Sequence, residues 1–246
     1  MPRFFITESD LETTPAGTSV TIRGDDAAHI SRVLRMRPGE HVTVCDPSGR
    51  EYDTAVRQTG SIVLLDVCSS RLSVSEPPYR AVVYQALVKG DRFDTVLQKS
   101  TELGASEIVP VITSRCTVRL EGAEYARKTE RWQRIVLEAA KQCGRAAVPT
   151  VQLPTLYKDA LTTAARADLP LFCYEGGGTS LPVLISSVPH PETVSVMIGP
   201  EGGWEKEEAD RAAQAGMQLT GLGSRILRTE TAAPFVLSCI SFSYEL

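Results

Sequence analysis

Short runs of alternating apolar and polar residues occupy the first 72 residues of the chain. They fall at residues 3–6, 19–22, 41–45, 52–57 and 62–67, and turn residues such as glycine and proline separate most of them. Five short strands at this spacing predict a small β-barrel. One helix is predicted over residues 26–36, where Ile30, Val33 and Leu34 share a face.

The pattern changes after residue 80 to strands that alternate with helices. The predicted strands are residues 81–88, 107–113, 169–174, 194–198 and 217–222, and the predicted helices are residues 92–103, 123–145, 156–167, 181–186, 205–215 and 231–244. Repeated strand–helix units predict an α/β domain with a mainly parallel sheet and helices on both faces. Residues 73–80, which include Pro77 and Pro78, are interpreted as an interdomain linker.

Two glycine-bearing turns each follow a predicted strand and precede a predicted helix: IGPEGGW at residues 198–204 and LGSRILRTETAAP at residues 222–234. In a parallel sheet, ligands bind beyond the carboxyl ends of the strands, where both turns fall. Gly202 and Gly203 remove two side chains from the first turn. We expect a Cβ atom at Gly199, Gly202 or Gly223 to strike the ligand or to require an unfavourable φ. The turns predict one small-molecule site built from two loops, against the alternative that they are ordinary connections.

Five motifs in order along the chain carry a family resemblance: RFF at 3–5, HISRVLRMRPGE at 29–40, KGDRFDTVLQKSTELG at 89–104, EAAKQCGR at 138–145, and the pair of glycine turns. With these motifs the chain resembles the RsmE family of the SPOUT superfamily, which methylates N3 of a uridine in small-subunit (16S) ribosomal RNA using S-adenosylmethionine. The resemblance implies a PUA-like β-barrel RNA-binding domain at residues 1–72 and a SPOUT methyltransferase domain at residues 81–246. It also implies that the second domain carries a C-terminal trefoil knot, whose loops hold the cofactor.

The expected cofactor site consists of the two turns and the end of a third strand. S-adenosylmethionine brings its own electrophilic methyl group, so the protein has to bind it, align the nucleophile and help that nucleophile lose a proton. Backbone groups and apolar side chains of the turns are expected to enclose the adenine. The residues assigned to cofactor binding are Tyr174, Glu175, Ile198, Gly199, Pro200, Glu201, Gly202, Gly203, Leu222, Gly223, Ile226, Leu227 and Thr231.

Four charged residues are candidates for catalysis at uracil N3: Glu138, Arg145, Arg228 and Glu230. Glu138 and Arg145 are seven residues apart in the long predicted helix and are expected on one face. An arginine that faces the base could stabilise negative charge on the uracil oxygens. Glu201 is another candidate base, and each carboxylate could instead be a helix cap or an ion-pair partner, so the sequence leaves the base open.

The net charge of −4 and the isoelectric point near 5.5 argue mildly against a nucleic-acid partner. The local distribution weakens that objection, because residues 115–145 contain eight Lys or Arg and four Glu, and residues 29–37 contain three Arg and no acid. Solvated helix faces are the alternative interpretation. The residues expected to bind ribosomal RNA, in the assembled small subunit, are Arg3, His29, Arg32, Arg35 and Lys89.

The six cysteines include no CxxC pair, and the sequence shows no export signal and no apolar run of membrane-spanning length. These features predict a cytoplasmic protein with reduced thiols and no membrane partner. The three histidines lie far apart in the sequence, so no metal site is predicted.

The last predicted helix has apolar residues around most of its circumference, which favours a homodimer that covers them. Two other functions stay open. One is a SPOUT methyltransferase that acts on another RNA target, and the other is a noncatalytic RNA-binding ribosome-assembly protein. The intact glycine turns argue against the second, because a protein without a cofactor would not need them.

Overall fold

The computed structural model describes residues 1–15, 17–118 and 122–246. The chain forms two compact units: the first comprises residues 1–76 and 140–147, and the second comprises residues 77–139 and 148–246. Residues 140–147, which the sequence places in the second domain, thus cluster with the first unit. No helix of the described residues is both long and apolar enough to cross a bilayer.

The first unit contains one six-stranded sheet in the order β1-β4-β5-β6-β3-β2. All neighbours are antiparallel except β1 and β4, which are parallel. The alternation in β4 explains the packing: Val42 and Val44 are buried in an apolar core, while His41 is exposed on the other face. The strands are β1 (Arg3–Phe5), β2 (Leu11–Thr14), β3 (Gly17–Ile22), β4 (His41–Cys45), β5 (Arg50–Gln58) and β6 (Val63–Leu72).

The predicted helix over residues 26–36 is shorter and less regular in the structure. Helix α1 covers Gly24–Ala28 and continues as a π-helical turn at His29–Val33. Ile30 is buried, but Val33 and Leu34 are exposed, so the expected apolar face does not form. Arg35 then adopts a left-handed conformation with φ 53°, which ends the helical segment.

The second unit is built on an eight-stranded sheet in the order β10-β8-β7-β13-β11-β14-β12, with β9 also paired to β8. Every pairing in it is parallel. The strands are β7 (Arg80–Ala86), β8 (Ala105–Ile112), β9 (Thr150–Val151), β10 (Thr155–Leu156), β11 (Leu169–Cys173), β12 (Thr179–Ser180), β13 (Thr193–Ile198) and β14 (Gln218–Gly221).

Helices cover both faces of this sheet. Val196 on β13 packs in one core with residues of α2 and α7, and the next residue, Met197, packs in another core with residues of α4 and α6. The sequence prediction of a mainly parallel sheet with two covered faces is confirmed. The helices are α2 (Arg92–Glu102), α3 (Glu124–Cys143), α4 (Tyr157–Ala164), α5 (Leu181–Ser187), α6 (Lys206–Gln214) and α7 (Thr229–Tyr244).

Candidate active site

A cavity of about 510 Å³ lies in the second unit where three neighbouring strands end. Strands β13, β11 and β14 are adjacent in the sheet and parallel, so their carboxyl ends meet at one edge. The segments that follow them, at residues 199–203, 174–177 and 222–228, line the cavity together with the start of α7. The two glycine turns therefore form one site beyond the carboxyl ends of the strands, where parallel sheets bind ligands.

All but one of the residues assigned to the cofactor line this cavity. The exception is Thr231, which is exposed on α7. The cavity also has lining residues that the sequence did not indicate, namely Arg92, Cys173, Gly177, Gly221, Arg225, Thr229 and Ala232. Burial raises the pKa of the Cys173 thiol to about 12, so this side chain stays protonated and is no nucleophile.

The first glycine turn is tied to the end of β11 through Glu175. The Glu175 Oε1 atom accepts a hydrogen bond from the Trp204 backbone N–H at 2.8 Å, and the Trp204 indole donates to the Cys173 carbonyl at 2.9 Å. Gly203 has a φ of +69°, and a Cβ atom there would lie 1.9 Å from Glu175 Oε1. Any other residue here would adopt a strained left-handed conformation and would push the Glu175 carboxylate away from the Trp204 N–H.

Gly202 lines the cavity, and the space around it in the protein itself is open to a small side chain. A Cβ atom at this position would lie 3.5 Å from the Arg115 side chain, which is an ordinary contact distance. Arg115 donates to the Gly202 carbonyl at 2.8 Å and pairs with Glu205, so the neighbourhood of Gly202 is polar. Obstruction of the ligand by a side chain at Gly202 stays a prediction, whereas at Gly203 a Cβ atom already meets the protein itself.

Thr229 joins the second turn to the first. Its hydroxyl donates to the Gly199 carbonyl at 2.7 Å and accepts from the Gln85 side chain at 2.9 Å. Thr229 and Gln85 are both buried, so these bonds fix the start of α7 against the turn after β13. Sequence reasoning missed both residues, because their partners are 30 and 144 positions away from Thr229.

Three carboxylates line the cavity, and they differ in how they are bound. Glu175 is held by the Trp204 backbone, and Glu201 accepts from Arg92 Nη1 at 2.9 Å. Glu230 Oε2 is buried and has no hydrogen-bond partner in the described part of the chain. Its other oxygen is 4.0 Å from Arg228 Nη1. Glu230 thus differs from the other two carboxylates in having an oxygen that is buried and accepts no hydrogen bond from the described residues.

The other two catalytic candidates do not line the cavity. Helix α3 ends at Cys143, so Arg145 lies beyond it and does not share a helix face with Glu138. The Arg145 side chain is buried in the first unit, 4% exposed, and its Nη2 binds Glu76 Oε2 at 2.6 Å. Glu138 is exposed on α3. Within one protomer, Glu138 and Arg145 therefore do not join Arg228 and Glu230 at the cavity.

We expect Arg145→Ala to destabilise the first unit, because it leaves Glu76 without its charged partner. Loss of one member of a buried ion pair costs about 3 kcal/mol. Urea unfolding of the variant measures the loss, with the exposed Arg134→Ala on α3 as the control. Equal free energies of unfolding for the two variants would contradict the structural role assigned to Arg145.

The candidate RNA-binding residues fall into two groups. Arg3 is largely buried and binds Glu51 at 2.8 Å, which gives it a structural role. His29, Arg32, Arg35 and Lys89 are exposed. The basic stretch at residues 115–145 includes Arg119 and Glu121, which lie outside the described residues.

Comparisons with known proteins agree with the two-part organisation and the fold. A family model for an RNA methyltransferase domain matches residues 75–241, and a model for an RNA methyltransferase PUA domain matches residues 22–63. Ribosomal RNA small subunit methyltransferase E from Bacillus subtilis is 32% identical over 257 residues, covering 100% of this chain and 98% of the relative.

Solved structures are also similar over nearly the full length. Ribosomal RNA small subunit methyltransferase E from Neisseria gonorrhoeae, bound to S-adenosyl methionine, has a TM-score of 0.82 and 33% identity, covering 98% of this chain and 97% of that chain. A putative methyltransferase from Legionella pneumophila, in complex with the cofactor SAM, has a TM-score of 0.85 and 30% identity, with 98% and 97% covered.

Proposed function

The chain belongs to the ribosomal RNA small subunit methyltransferase E family, and from this premise we propose that it methylates N3 of a uridine in small-subunit (16S) ribosomal RNA, with S-adenosylmethionine as the methyl donor. The observation that carries the proposal is the single cavity formed by both glycine turns and the end of β11. Its volume, about 510 Å³, suits a ligand the size of this cofactor. The SAM-bound relatives support the same cofactor.

The cofactor is held, in this proposal, mostly by backbone groups and apolar side chains. Leu222, Leu227 and Ala232 supply apolar walls, and the turn at residues 199–203 supplies backbone donors and acceptors. The hydrogen bond that Thr229 donates and the one that Glu175 accepts fix these loops in advance, which lowers the entropic cost of binding. The C-terminal trefoil knot implied by the family resemblance remains part of the proposal.

Catalysis then needs a base for the proton on uracil N3. When bound, S-adenosylmethionine supplies an electrophilic methyl group, and transfer leaves the bond electrons on sulfur. Glu230, with its unpaired buried oxygen, accepts the N3 proton, and Arg228, whose side chain is 82% exposed, stabilises negative charge on a uracil oxygen. Glu201 is occupied by Arg92 and serves to position the loop.

RNA binding is assigned to exposed basic residues of the first unit. Arg32 and Arg35 lie on or next to the π-helical turn, and His29 packs edge-on against Phe4 with ring centroids 6.1 Å apart. The match of the PUA model to residues 22–63 supports this assignment. The assembled small subunit in the cytoplasm is the proposed substrate.

We expect Arg32→Ala/Arg35→Ala to bind the cofactor normally and RNA weakly, because two phosphate contacts are lost. The slope of log affinity against log salt should fall by roughly one to two. Filter binding over a salt series measures it, and Arg57→Ala/Arg71→Ala, two exposed arginines on β5 and β6, is the control. An unchanged slope would mean that Arg32 and Arg35 are solvated surface residues.

A homodimer is proposed from the exposed stripe on α7. Phe235 is 38% exposed and Phe242 is 74% exposed, and they lie seven residues apart on one side of the helix. Exposed aromatic residues in one line favour a symmetric contact with a second copy. Phe235→Glu/Phe242→Glu should be monomeric by light scattering, whereas Leu153→Glu should stay dimeric. A monomeric unmodified protein at micromolar concentration would contradict the dimer.

Methyl transfer to different acceptors tests the proposed function. The protein is incubated with labelled S-adenosylmethionine and with small ribosomal subunits, free 16S ribosomal RNA or transfer RNA. Label in the small subunits supports the proposal, and label in transfer RNA alone would favour a methyltransferase with another target. Absence of label in every acceptor, with calorimetry showing no cofactor binding, would favour the noncatalytic RNA-binding protein.

A further inference from the structure

Three side chains on the exposed face of the first unit's sheet bring different metal-binding atoms together. His41 lies on β4, Asp53 on β5 and Cys68 on β6, and these are three neighbouring strands. Their donor atoms all lie within 4.8 Å of one another. None of the three lines the cavity described above.

The sheet register explains why these positions converge. Asp53 is directly opposite Thr43, so His41 is its diagonal neighbour on the same face. Between β5 and β6 the register passes from Asp53–Ser69 to Thr54–Val67, which leaves Cys68 as the extra residue of a β-bulge. A bulge redirects a side chain out of the regular alternation, and here it lies next to Asp53.

The donor set is that of a transition-metal site. An imidazole nitrogen, a carboxylate oxygen and a thiolate sulfur are the atoms that bind Zn²⁺, at about 2.0–2.3 Å. Tetrahedral geometry with those bond lengths separates the donors by roughly 3.3–3.7 Å. The His41 Nδ1 and Asp53 Oδ1 atoms are 2.9 Å apart and all three donors lie within 4.8 Å, so on metal binding the first pair separates slightly and Cys68 moves closer.

We propose that His41, Asp53 and Cys68 bind one divalent transition-metal ion of the zinc type, with water in the fourth position. On binding, the Cys68 thiol releases its proton to solvent, and the metal replaces the hydrogen bond between His41 and Asp53. The ion would link three strands of one sheet and stabilise the first unit. The sequence analysis did not indicate this site because it considered only how far apart the three histidines lie along the chain.

Cobalt is the probe for this site, because thiolate coordination gives it a charge-transfer absorption band. Titration of the reduced full-length protein with Co²⁺ should produce this band at one ion per chain, and Zn²⁺ should abolish it. Cys68→Ser should lose the band, and His41→Ala should weaken cobalt binding. Cys143→Ser, which removes another exposed cysteine of the first unit, should behave as the unmodified protein.

Thermal unfolding supplies a second readout. At a hundredfold excess over its dissociation constant, Zn²⁺ should raise the unfolding midpoint by about 5–10 °C, and the rise should be absent in Cys68→Ser. No cobalt band in the unmodified protein, or a band retained in Cys68→Ser, would overturn the proposal. In that case the contact between His41 and Asp53 is a surface ion pair only.

Discussion

Gly203→Val is expected to lower cofactor affinity on the order of 100-fold. Gly203 has a φ of +69°, which strains valine, and a Cβ atom there displaces the Glu175 carboxylate that holds the turn through the Trp204 N–H. Backbone strain of about 3 kcal/mol makes the binding free energy less favourable by the same amount, which lowers the affinity about 100-fold. Calorimetry with S-adenosylmethionine measures the change.

Two variants separate the effect of the close approach from that of glycine loss in general. Gly202→Ala adds a methyl group in ordinary contact with Arg115, so a loss of affinity in this variant would come from contact with the cofactor itself. Gly216→Ala loses a glycine with φ +97° and open space around it, at a position that does not line the cavity. It should lower stability without changing affinity. If a folded Gly203→Val protein bound S-adenosylmethionine with normal affinity, the turn would not belong to the cofactor site.

Glu230→Gln is expected to reduce kcat by about 10²–10⁴-fold, the usual contribution of a general base, and to leave cofactor affinity unchanged. The Glu230 carboxylate has a buried oxygen without a partner, and an amide cannot take up the N3 proton. Single-turnover methyl transfer measures the chemical step. Glu207→Gln, an exposed acid at the start of α6, is the control and should keep full activity.

Glu201 would be the base if Glu230→Gln methylated at the rate of the unmodified protein and Glu201→Gln did not. Glu201 then would have to leave Arg92, which binds it at 2.9 Å. Loss of activity in Glu230→Gln accompanied by loss of cofactor binding would instead mean that Glu230 shapes the cavity.

Features with local causes could be predicted from the sequence. The strand before each glycine turn and the helix after it follow from periodicity and from glycine and proline, and β13 (Thr193–Ile198) lies where its apolar run predicts. The convergence of both turns followed from the rule that ligands bind at the carboxyl ends of parallel strands. This local information was sufficient to indicate most of the cavity lining.

Features that depend on distant partners could not be predicted. Arg92 reaches the cavity because Glu201, 109 residues later, accepts its hydrogen bond. Thr229 matters through Gln85 and Gly199, which no sequence spacing connects to it. The short strand β12 (Thr179–Ser180) pairs with β14, and its two residues carry no apolar pattern.

The error about Arg145 has a local cause that the sequence does contain. Gly144 precedes it, and a glycine commonly ends a helix, so the helix over residues 123–145 was extended too far. Arg145 lies beyond the helix end and binds Glu76. The Glu76 carboxylate also accepts hydrogen bonds from the Ala146 and Ala147 backbone N–H groups. The burial of this pair is a tertiary effect.

The most direct measurement is nucleoside mass spectrometry of 16S ribosomal RNA after methylation by this protein with isotopically labelled S-adenosylmethionine. The label should appear in a nucleoside that coelutes with 3-methyluridine, and it should be absent after incubation with Glu230→Gln for the same time. Label in a ribose-methylated nucleoside or on another base would contradict methylation at uridine N3.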